Sequence, residues 1–445
     1  MPTRIASDFT GGPAALAFFR EEMAELLVFY ERYYADGADL GDEICVAVSG
    51  GSDSLALLLL AHRWALDRGL RVVAATVDHR LRPESQDEAT FVRDFCGKIN
   101  LESATLIWDF GKDPPDHGKM ENAAREARYG LLSEFCRRRS IRILLTGHTW
   151  NDQLETYELR RSRGSGAIGL AGVSRLRSLV HGVKLMRPVM HCTKEYLENF
   201  LRSEGVVWKN DPMNADDSLQ RVFWRKKIAS YGREEIFRLS DEILRRGEAR
   251  READAAAVAF LKDFCAFSSL GHAAVAVAPF LGLGKAVQME VLRRVIWNVG
   301  GKKYATAISS DILEGIINGK INTIGRCLLK IRGDNLLAFR ENRRLETISV
   351  TPPSDEGTTV REILWDNRFR IKINVPLVDC SIESSSLNGD PDDILRRLSS
   401  VTTDREVLFG LPWVRQNHKI GHVSAGLSPD GIVFVDKTNL FDVFF

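Results

Sequence analysis

A short polar loop between two apolar segments is the part of this chain best suited to chemistry. It follows a strand-like run, Glu43–Val48, and precedes a helix-length segment, Ser54–Arg68. The loop, called the phosphate loop below, consists of Ser49, Gly50, Gly51, Ser52, Asp53 and Ser54. Two glycines let the backbone approach an anion closely, and N–H groups at a helix N-terminus carry partial positive charge. The serine hydroxyls can donate further hydrogen bonds, and Asp53 can help to hold Mg²⁺. The pattern predicts a phosphate-binding site.

The glycine spacing distinguishes this loop from two common phosphate sites. It lacks the Gly-Lys-Ser/Thr of a Walker A motif, and it does not match the dinucleotide-binding fingerprint. The plainer alternative is a serine-rich turn that caps a helix, because serine and aspartate both favour helix N-caps.

Strand-like and helix-length segments alternate through residue 161. Strands are predicted at Glu43–Val48, Arg71–Val77, Ser103–Trp108 and Ile141–Thr146, and helices at Ser54–Arg68, Glu84–Ile99, Asn122–Arg139 and Asp152–Arg161. Such alternation indicates βαβ units and a parallel sheet covered on both faces, the α/β class. Ligands of these sheets bind at the carboxyl ends of the strands, which directs attention to the loops after Val48, Val77 and Thr146.

The second half of the chain has a different character. Arg225–Phe264 is strongly charged and reads as one or two helices, and a hairpin is predicted from Leu328–Ile331 and Leu336–Phe339. A linker is predicted at residues 351–357, before several short strand-like pieces. We therefore predict three domains: an α/β domain that carries the phosphate loop (1–225), a mainly helical domain (226–350) and a small β-rich domain (351–445).

Composition sets broad limits on function. The 445 residues carry 61 basic and 60 acidic side chains, so any nucleic-acid surface must be a local patch. Seven widely spaced cysteines without a Cys-x-x-Cys motif argue against a disulfide framework or a zinc or iron–sulfur site. No apolar segment resembles a signal peptide or a membrane span. These features predict a cytoplasmic protein with no membrane partner.

The phosphate loop resembles the PP-loop of the ATP pyrophosphatase superfamily, whose members cleave ATP between its α and β phosphates. The superfamily includes amidating synthetases, tRNA thiolases and tRNA lysidine synthases. The loop alone does not choose among them.

Four further segments resemble motifs of the tRNA(Ile)-lysidine synthase family, and they occur in the family's order. They are residues 76–85, residues 121–129, residues 147–156 with their continuation through 163–166 and 169–172, and residues 211–216 followed by Arg221 and Arg225. The chain departs from the family at Thr149, where a second histidine is common, and at Asn151, where an acidic residue is common. Phe223 replaces a usual basic residue, which implies that one phosphate contact is weaker.

This resemblance implies an ATP-dependent ligase. ATP and free L-lysine would convert the wobble cytidine of CAU-anticodon tRNA(Ile) into lysidine, which changes codon reading from AUG to AUA. Cytidine C2 is a poor electrophile, so its oxygen first attacks the α-phosphate and releases pyrophosphate. The lysine ε-amine then displaces AMP at C2. The base comes from the single-stranded anticodon loop, because a duplex stem would hide it.

The resemblance also implies roles for particular residues. The phosphate loop would bind the triphosphate, with Asp53 on Mg²⁺. The adenosine would lie near Ala47, Asp78 and His79. The adenylation would be organised by His148, Asp152, Arg125, Arg128 and Arg221. Asp152 would also steer or deprotonate the lysine amine.

Plainer roles compete with these assignments. His148 could be a structural histidine, and Asp152 could serve the first turn of a helix, where acids favour the helix dipole. Arg125 and Arg128 could form a solvated helix face. Asp78 and His79 could be turn residues.

Two other enzyme classes and one binding function remain as alternatives. A tRNA thiolase would need reactive or cluster-binding cysteines, and an amidating synthetase would need a glutaminase partner. A non-catalytic RNA-binding protein would not need an intact phosphate loop. Local basic clusters at residues 137–142, 160–163 and 245–251 could contact RNA or could be solvated helix faces. The sequence leaves the oligomeric state open, with a homodimer among the alternatives.

Overall fold

The computed structural model describes most of the chain up to residue 341 and short segments beyond it. The described residues are 5–33, 40–80, 84–109, 120–179, 182–209, 220–268, 271–301, 306–341, 343, 345, 347–350, 360–366, 369–374, 380–384, 412–416, 419–422 and 434–437. The chain divides into two compact units, residues 1–251 and 252–444. The finer division into three domains stays a prediction. None of the described helices combines the length and the apolar character that a bilayer crossing requires.

The first unit is built on a six-stranded sheet. Its strands are β1 (Glu43–Ala47), β2 (Arg71–Asp78), β3 (Glu102–Ile107), β4 (Ile143–Leu145), β5 (Leu176–Ser178) and β6 (Lys184–Met186). Its helices are α1 (Gly12–Tyr33), α2 (Ser52–Leu66), α3 (Glu84–Lys98), α4 (Met120–Arg138), α5 (Trp150–Ser162), α6 (Ala167–Leu170), α7 (Lys194–Ser203), α8 (Gln220–Ala229) and α9 (Arg233–Phe264), the last of which ends in the second unit.

The sheet has the order β3-β2-β1-β4-β6-β5, and only β5 runs antiparallel to its neighbour. Strand periodicity places alternate side chains on opposite faces. Ile44 and Val46 of β1 belong to a core shared with α1, α2 and α7, whereas Cys45 faces a second core that includes Leu132 and Cys136 of α4. The predicted parallel sheet with two covered faces is confirmed, and the phosphate loop lies at its carboxyl edge.

The four predicted strands and four predicted helices of this unit are all present, with ends shifted by at most two residues. Helices α1, α6 and α7 and strands β5 and β6 were not predicted. Helix α1 precedes the first strand and contributes Phe19, Met23 and Leu26 to the larger core. Strands β5 and β6 have only three residues each, too few to show a clear period. They extend the sheet past β4 and bring Arg187 to its carboxyl edge.

The second unit contains α10 (Val277–Leu281), α11 (Lys285–Gly300) and α12 (Ser310–Ile317) together with small antiparallel sheets. One five-stranded sheet has the order β7-β8-β11-β10-β9, from β7 (Cys265–Phe267), β8 (Ala273–Ala276), β9 (Thr323–Ile324), β10 (Cys327–Arg332) and β11 (Asn335–Arg340). The predicted hairpin is confirmed as β10 and β11, with Leu328 opposite Phe339 and Gly333 at a φ of 56° in the turn.

Beyond residue 347 the described segments are strands. They are β12 (Ile348–Val350), β13 (Val360–Trp365), β14 (Phe369–Asn374), β15 (Cys380–Ser384), β16 (Pro412–Gln416), β17 (Lys419–His422) and β18 (Phe434–Lys437). They form a four-stranded and a three-stranded antiparallel sheet, which confirms the prediction of a β-rich end to the chain. The predicted linker at 351–357 lies outside the described residues.

Candidate active site

The phosphate loop is a preformed turn that opens helix α2. Gly50 adopts a φ of +84°, a conformation that favours glycine, and a Cβ there would lie 3.3 Å from the ring of Phe91. The Ser54 hydroxyl accepts a hydrogen bond from the Ser49 N–H at 3.1 Å and donates one to the Gly51 carbonyl at 3.0 Å. Gly51 occupies the N-cap without a side-chain cap. The loop is therefore not the side-chain-capped helix start that the plainer alternative predicted.

Gly147 brings the next motif against this loop. It follows β4, which pairs with β1 in the sheet. A Cβ at Gly147 would lie 2.9 Å from the carbonyl oxygen of Asp53 and 3.1 Å from the backbone nitrogen of Ser54. Only glycine leaves room for that approach, because real Cβ atoms do not come so near to backbone atoms. The close contact sets His148 beside the first turn of α2.

Asp53 is partly buried at the start of α2. The pKa of its carboxyl group is raised to about 6, because burial and the negative charge of Asp152 together outweigh the lowering effect of Lys194. A bound cation would favour the ionised form, so this carboxylate fits a magnesium ligand. Within the described residues, no cluster of three or more metal-ligating side chains exists. Mg²⁺ in nucleotide sites needs only one or two carboxylates besides phosphate and water.

His148 lies at the carboxyl end of β4 within a group of cations. Its Nδ1 atom is 3.2 Å from the Thr146 hydroxyl and receives a hydrogen bond from Nε of Arg187 at 3.3 Å. Burial lowers the pKa of His148 well below 6.5, and the charges of Arg187, Arg125, Arg221 and Arg128 lower it further. Both effects favour the neutral imidazole.

Two helices and one strand end contribute the surrounding arginines, which we call the cationic side. They are Arg125 and Arg128 of α4, Arg187 after β6 and Arg221 of α8. Tyr129 lies among them: burial would raise the pKa of its phenol, but Arg187 and Arg125 outweigh that effect and lower the pKa. The structure thus brings together three arginines that the sequence assigned to adenylation. Such a cluster can offset the charge of a triphosphate.

Helix α5 carries two carboxylates on the same face, which with Asp53 we call the acidic side. Asp152 and Glu155 are three residues apart on this helix. Burial raises the pKa of the Glu155 carboxyl group, and the negative charge of Asp152 adds to that effect. Arg225 of α8 donates to Oε1 of Glu155 at 2.7 Å. The other oxygen, Oε2, is buried and has no hydrogen-bond partner in the part of the chain that the structure describes. Buried oxygens of this kind call for a donor, and here a ligand can supply it.

The predicted adenosine residues lie at the ends of β1 and β2. Ala47 is the last residue of β1 and pairs with Ala75. Asp78 ends β2, and its Oδ1 accepts hydrogen bonds from the Arg80 backbone and from the Ser85 hydroxyl. The Nε2 atom of His79 lies 3.2 Å from Arg128. Asp78 thus holds its own turn, as the plainer alternative predicted, while His79 adjoins the cationic side.

Comparison with known proteins agrees with this architecture. Residues 25–231 match the PP-loop domain family. A tRNA(Ile)-lysidine synthase of Wolbachia pipientis wMel is 30% identical over 407 residues, which cover 89% of this chain and 91% of that protein. Another, of Brucella anthropi, is 32% identical over 366 residues, covering 77% and 76% respectively.

The chain belongs to the tRNA(Ile)-lysidine synthase family. It is thus an ATP-using tRNA-modifying ligase that forms a carbon–nitrogen bond. Among solved structures, a U34-tRNA thiolase NcsA from Methanococcus maripaludis with its [4Fe-4S] cluster is similar over 54% of this chain and 80% of its own. At a TM-score of 0.43 and 15% identity, that likeness is too weak to bear on function.

Thr149 and Asn151, the two residues of the 147–156 motif that depart from the family, both form local hydrogen bonds. The backbone N–H and the hydroxyl of Thr149 both donate to Oδ2 of Asp152, at 2.8 and 3.2 Å. Asn151 accepts from the Lys194 backbone at 2.9 Å and so ties α5 to α7. Asp152 therefore serves the first helical turn, as the plainer alternative predicted, but only through one oxygen. The structure gives its Oδ1 no hydrogen-bond partner among the described residues.

Arginines of all three basic clusters considered for RNA binding form contacts within the protein. Arg139 donates to Glu43 and Glu102, at the amino ends of β1 and β3, which is the sheet edge opposite the site. Arg160 donates to the carbonyls of Gly169 and Gly172 and so holds the loop after α5. The arginines at 245 and 246 form i,i+4 ion pairs along α9, as a solvated helix would.

The sequence reasoning missed Glu155 and Arg187. Glu155 could have been found from the helical period, because residues three apart share a helix face with Asp152. Arg187 follows the short apolar run of β6, and an arginine at a strand's carboxyl end was the available signal. The Asp-Pro-x-Asn segment at 211–216 lies outside the described residues.

Proposed function

We propose that this chain joins free L-lysine to C2 of the wobble cytidine of tRNA(Ile) with a CAU anticodon, using ATP and Mg²⁺ and releasing AMP and pyrophosphate. The tRNA(Ile) substrate is taken from the names of its relatives. The observation that carries the proposal is the presence of a cationic side and an acidic side next to the phosphate loop, at the carboxyl edge of the sheet. The first suits a triphosphate, and the second suits an alkylammonium ion.

In the first step the cytidine O2 attacks the α-phosphorus and pyrophosphate leaves. The phosphate loop would bind the departing phosphates through backbone N–H groups at the start of α2. Ala47, Asp78 and His79 would bound the adenosine. Arg125, Arg128 and Arg221 would offset the charge that develops on the phosphoryl oxygens. Mg²⁺ beside Asp53 would neutralise phosphate charge when bound.

In the second step the lysine ε-amine forms a bond to C2, and the C2–O2 bond breaks to release AMP. The amine must first lose a proton, because an ammonium ion has no lone pair. Asp152 would steer the ammonium group and accept that proton through Oδ1, and Oε2 of Glu155 would accept a second hydrogen bond from it. The raised pKa of Glu155 makes this carboxyl group a better proton acceptor than an ordinary glutamate.

The cysteines do not favour a thiolase. Cys45, Cys96, Cys136, Cys192 and Cys327 are buried, and Cys265 lies in the second unit. Burial raises the pKa of Cys96 to about 11, which keeps it a protonated thiol. Within the described residues, no cysteine adjoins the phosphate loop as a reactive thiolate.

Pyrophosphate release from ATP tests the proposal. The assay compares CAU-anticodon tRNA(Ile) transcript with the same transcript carrying a GAU anticodon, in the presence of labelled lysine. We expect release and lysine incorporation with the first transcript alone, and loss of both without Mg²⁺. Arginine in place of lysine should not be incorporated. Release that needs a small carboxylic acid rather than tRNA would refute lysidine formation and favour an amidating synthetase.

A further inference from the structure

Arg187 is an unusual residue because it is a buried cation with no acidic partner within the described ranges. It is 1% exposed, and the described residues offer its guanidinium no carboxylate. Instead Nη1 donates to the Ser174 carbonyl at 2.6 Å, the guanidinium donates to the phenol of Tyr129, and Nε donates to Nδ1 of His148. Burying a guanidinium is costly, so three such acceptors in one place indicate a specific task.

The contact with His148 determines where that ring carries its proton. A guanidinium has only donors, so the Nδ1 atom that faces it must present a lone pair. A neutral imidazole with an unprotonated Nδ1 has its hydrogen on Nε2. Nε2 is the atom left to meet a ligand, and it can only donate.

The groups that face His148 also oppose a second proton on the ring. Arg187 approaches from the end of β6, Arg125 and Arg128 from α4, and Arg221 from α8. Thr146 adds a neutral hydroxyl from β4's carboxyl end. An imidazolium would add a fifth positive charge to this group, which electrostatic repulsion disfavours.

We propose that Arg187 is a positioning residue that holds His148 as the Nε2-protonated neutral tautomer, so that His148 donates a hydrogen bond to a reacting oxygen and does not act as a base. The identity of that oxygen, on the α-phosphate or on cytidine O2, rests on the proposed function. The tautomer itself does not. Burial and the neighbouring arginines lower the pKa of His148, in agreement with a neutral donor.

Long-range ¹H–¹⁵N spectra of histidine-labelled protein test the tautomer without any substrate. The chain has nine histidines, and His148→Gln identifies the signal that belongs to His148. We expect Nδ1 unprotonated and Nε2 protonated, with titration below the ordinary pKa. A proton on Nδ1 in the unaltered protein would overturn the proposal, and this result needs no Arg187 variant to fold.

Variants of Arg187 test its part in the arrangement. Arg187→Gln should raise the pKa of His148 and mix the two tautomers, whereas Arg187→Lys, which keeps a cationic donor, should preserve Nε2 protonation. Arg202→Gln, an exposed arginine of α7, is the matched control and should change neither property. If a folded Arg187→Gln protein kept the pKa and tautomer of His148, Arg187 would have no positioning role.

The activities of two His148 variants distinguish a hydrogen-bond donor from a base at this position. The side-chain amide of His148→Gln can still donate near the position of Nε2, but it cannot accept a proton. We expect its kcat for tRNA-dependent pyrophosphate release to exceed that of His148→Ala by about tenfold or more, the effect of a hydrogen bond to a charged group. Equal loss in both variants would identify His148 as a base. Absence of tRNA-dependent release in the unaltered protein would refute the proposed function and leave the spectra to decide the tautomer.

Discussion

Replacing Gly147 by alanine would test whether the contact between the β4 loop and α2 builds the phosphate site. The new Cβ would lie 2.9 Å from the carbonyl oxygen of Asp53 and 3.0 Å from its carbonyl carbon. Both are backbone atoms of a helix start, so neither can rotate away as a side chain would. Overpacking of this kind costs about 1–3 kcal/mol of unfolding free energy.

The cost should appear both in stability and in nucleotide binding. For a domain of this size we expect a Tm lower by roughly 2–12 °C. A displaced phosphate loop should also lose at least one hydrogen bond to a charged phosphate, which weakens ATP binding by about tenfold or more. Differential scanning calorimetry and equilibrium binding of ATP measure the two effects on the same protein.

Gly130 provides a matched control. It lies within α4, and a Cβ there would meet nothing within 4 Å. Gly130→Ala should raise the free energy of unfolding by about 0.5–1 kcal/mol, because alanine favours the helix, and should leave ATP binding unchanged. If Gly147→Ala matched the parent protein in both Tm and ATP affinity, the close contact would not shape the site and this reasoning would fail.

Three other changes address charge in the site. Asp53→Asn should stabilise the protein by about 1–3 kcal/mol at pH 8 while abolishing pyrophosphate release. The pKa of Asp53 is raised from 3.8 to about 6, so its ionisation destabilises the folded protein increasingly as the pH rises from about 4 to about 6, and fully above that. The stability gain of the variant should therefore vanish as the pH falls towards 4. A gain that persists in thermal unfolding at pH 4 would contradict this prediction. Glu155→Gln should raise the KM for lysine and leave the Kd for ATP unchanged. A change in the Kd for ATP alone would show that Glu155 does not contact lysine. Phe223→Arg, at a side chain that is 55% exposed on α8, should tighten tRNA binding and steepen its salt dependence by about one unit of slope. Identical filter-binding curves over a salt series would place Phe223 outside the tRNA interface.

Local chemistry explains why the sheet and the phosphate loop could be predicted from sequence. The strands β1 and β2 are continuous apolar runs, and the loop between β1 and α2 has glycines where a backbone must approach an anion. These signals lie within a few consecutive residues. The family motifs then located His148 and Asp152 along the chain, and the parallel order of strands implied that they would meet.

Contacts between distant segments explain what could not be predicted. Arg187 reaches His148 only because β6 adds to the sheet beside β4, and three-residue strands have no readable period. The link from Arg225 to Glu155 depends on how α8 packs on α5, which no local pattern specifies. Arg160 belongs to a basic cluster in the sequence, but in the structure its guanidinium donates to the backbone carbonyl of Gly169.

Helix α5 joins stability to chemistry through the residues of one motif. Asn151 fastens its start to α7, and Thr149 caps it by donating to Asp152. Because these bonds hold Oδ2, the carboxylate of Asp152 cannot rotate freely and its Oδ1 keeps a fixed direction. The ion pair with Arg225 restrains Glu155 in the same way. Preorganised groups lose little entropy when a ligand binds. The helix cap and the ion pair would therefore hold Oδ1 of Asp152 and Oε2 of Glu155 in place for an incoming amine.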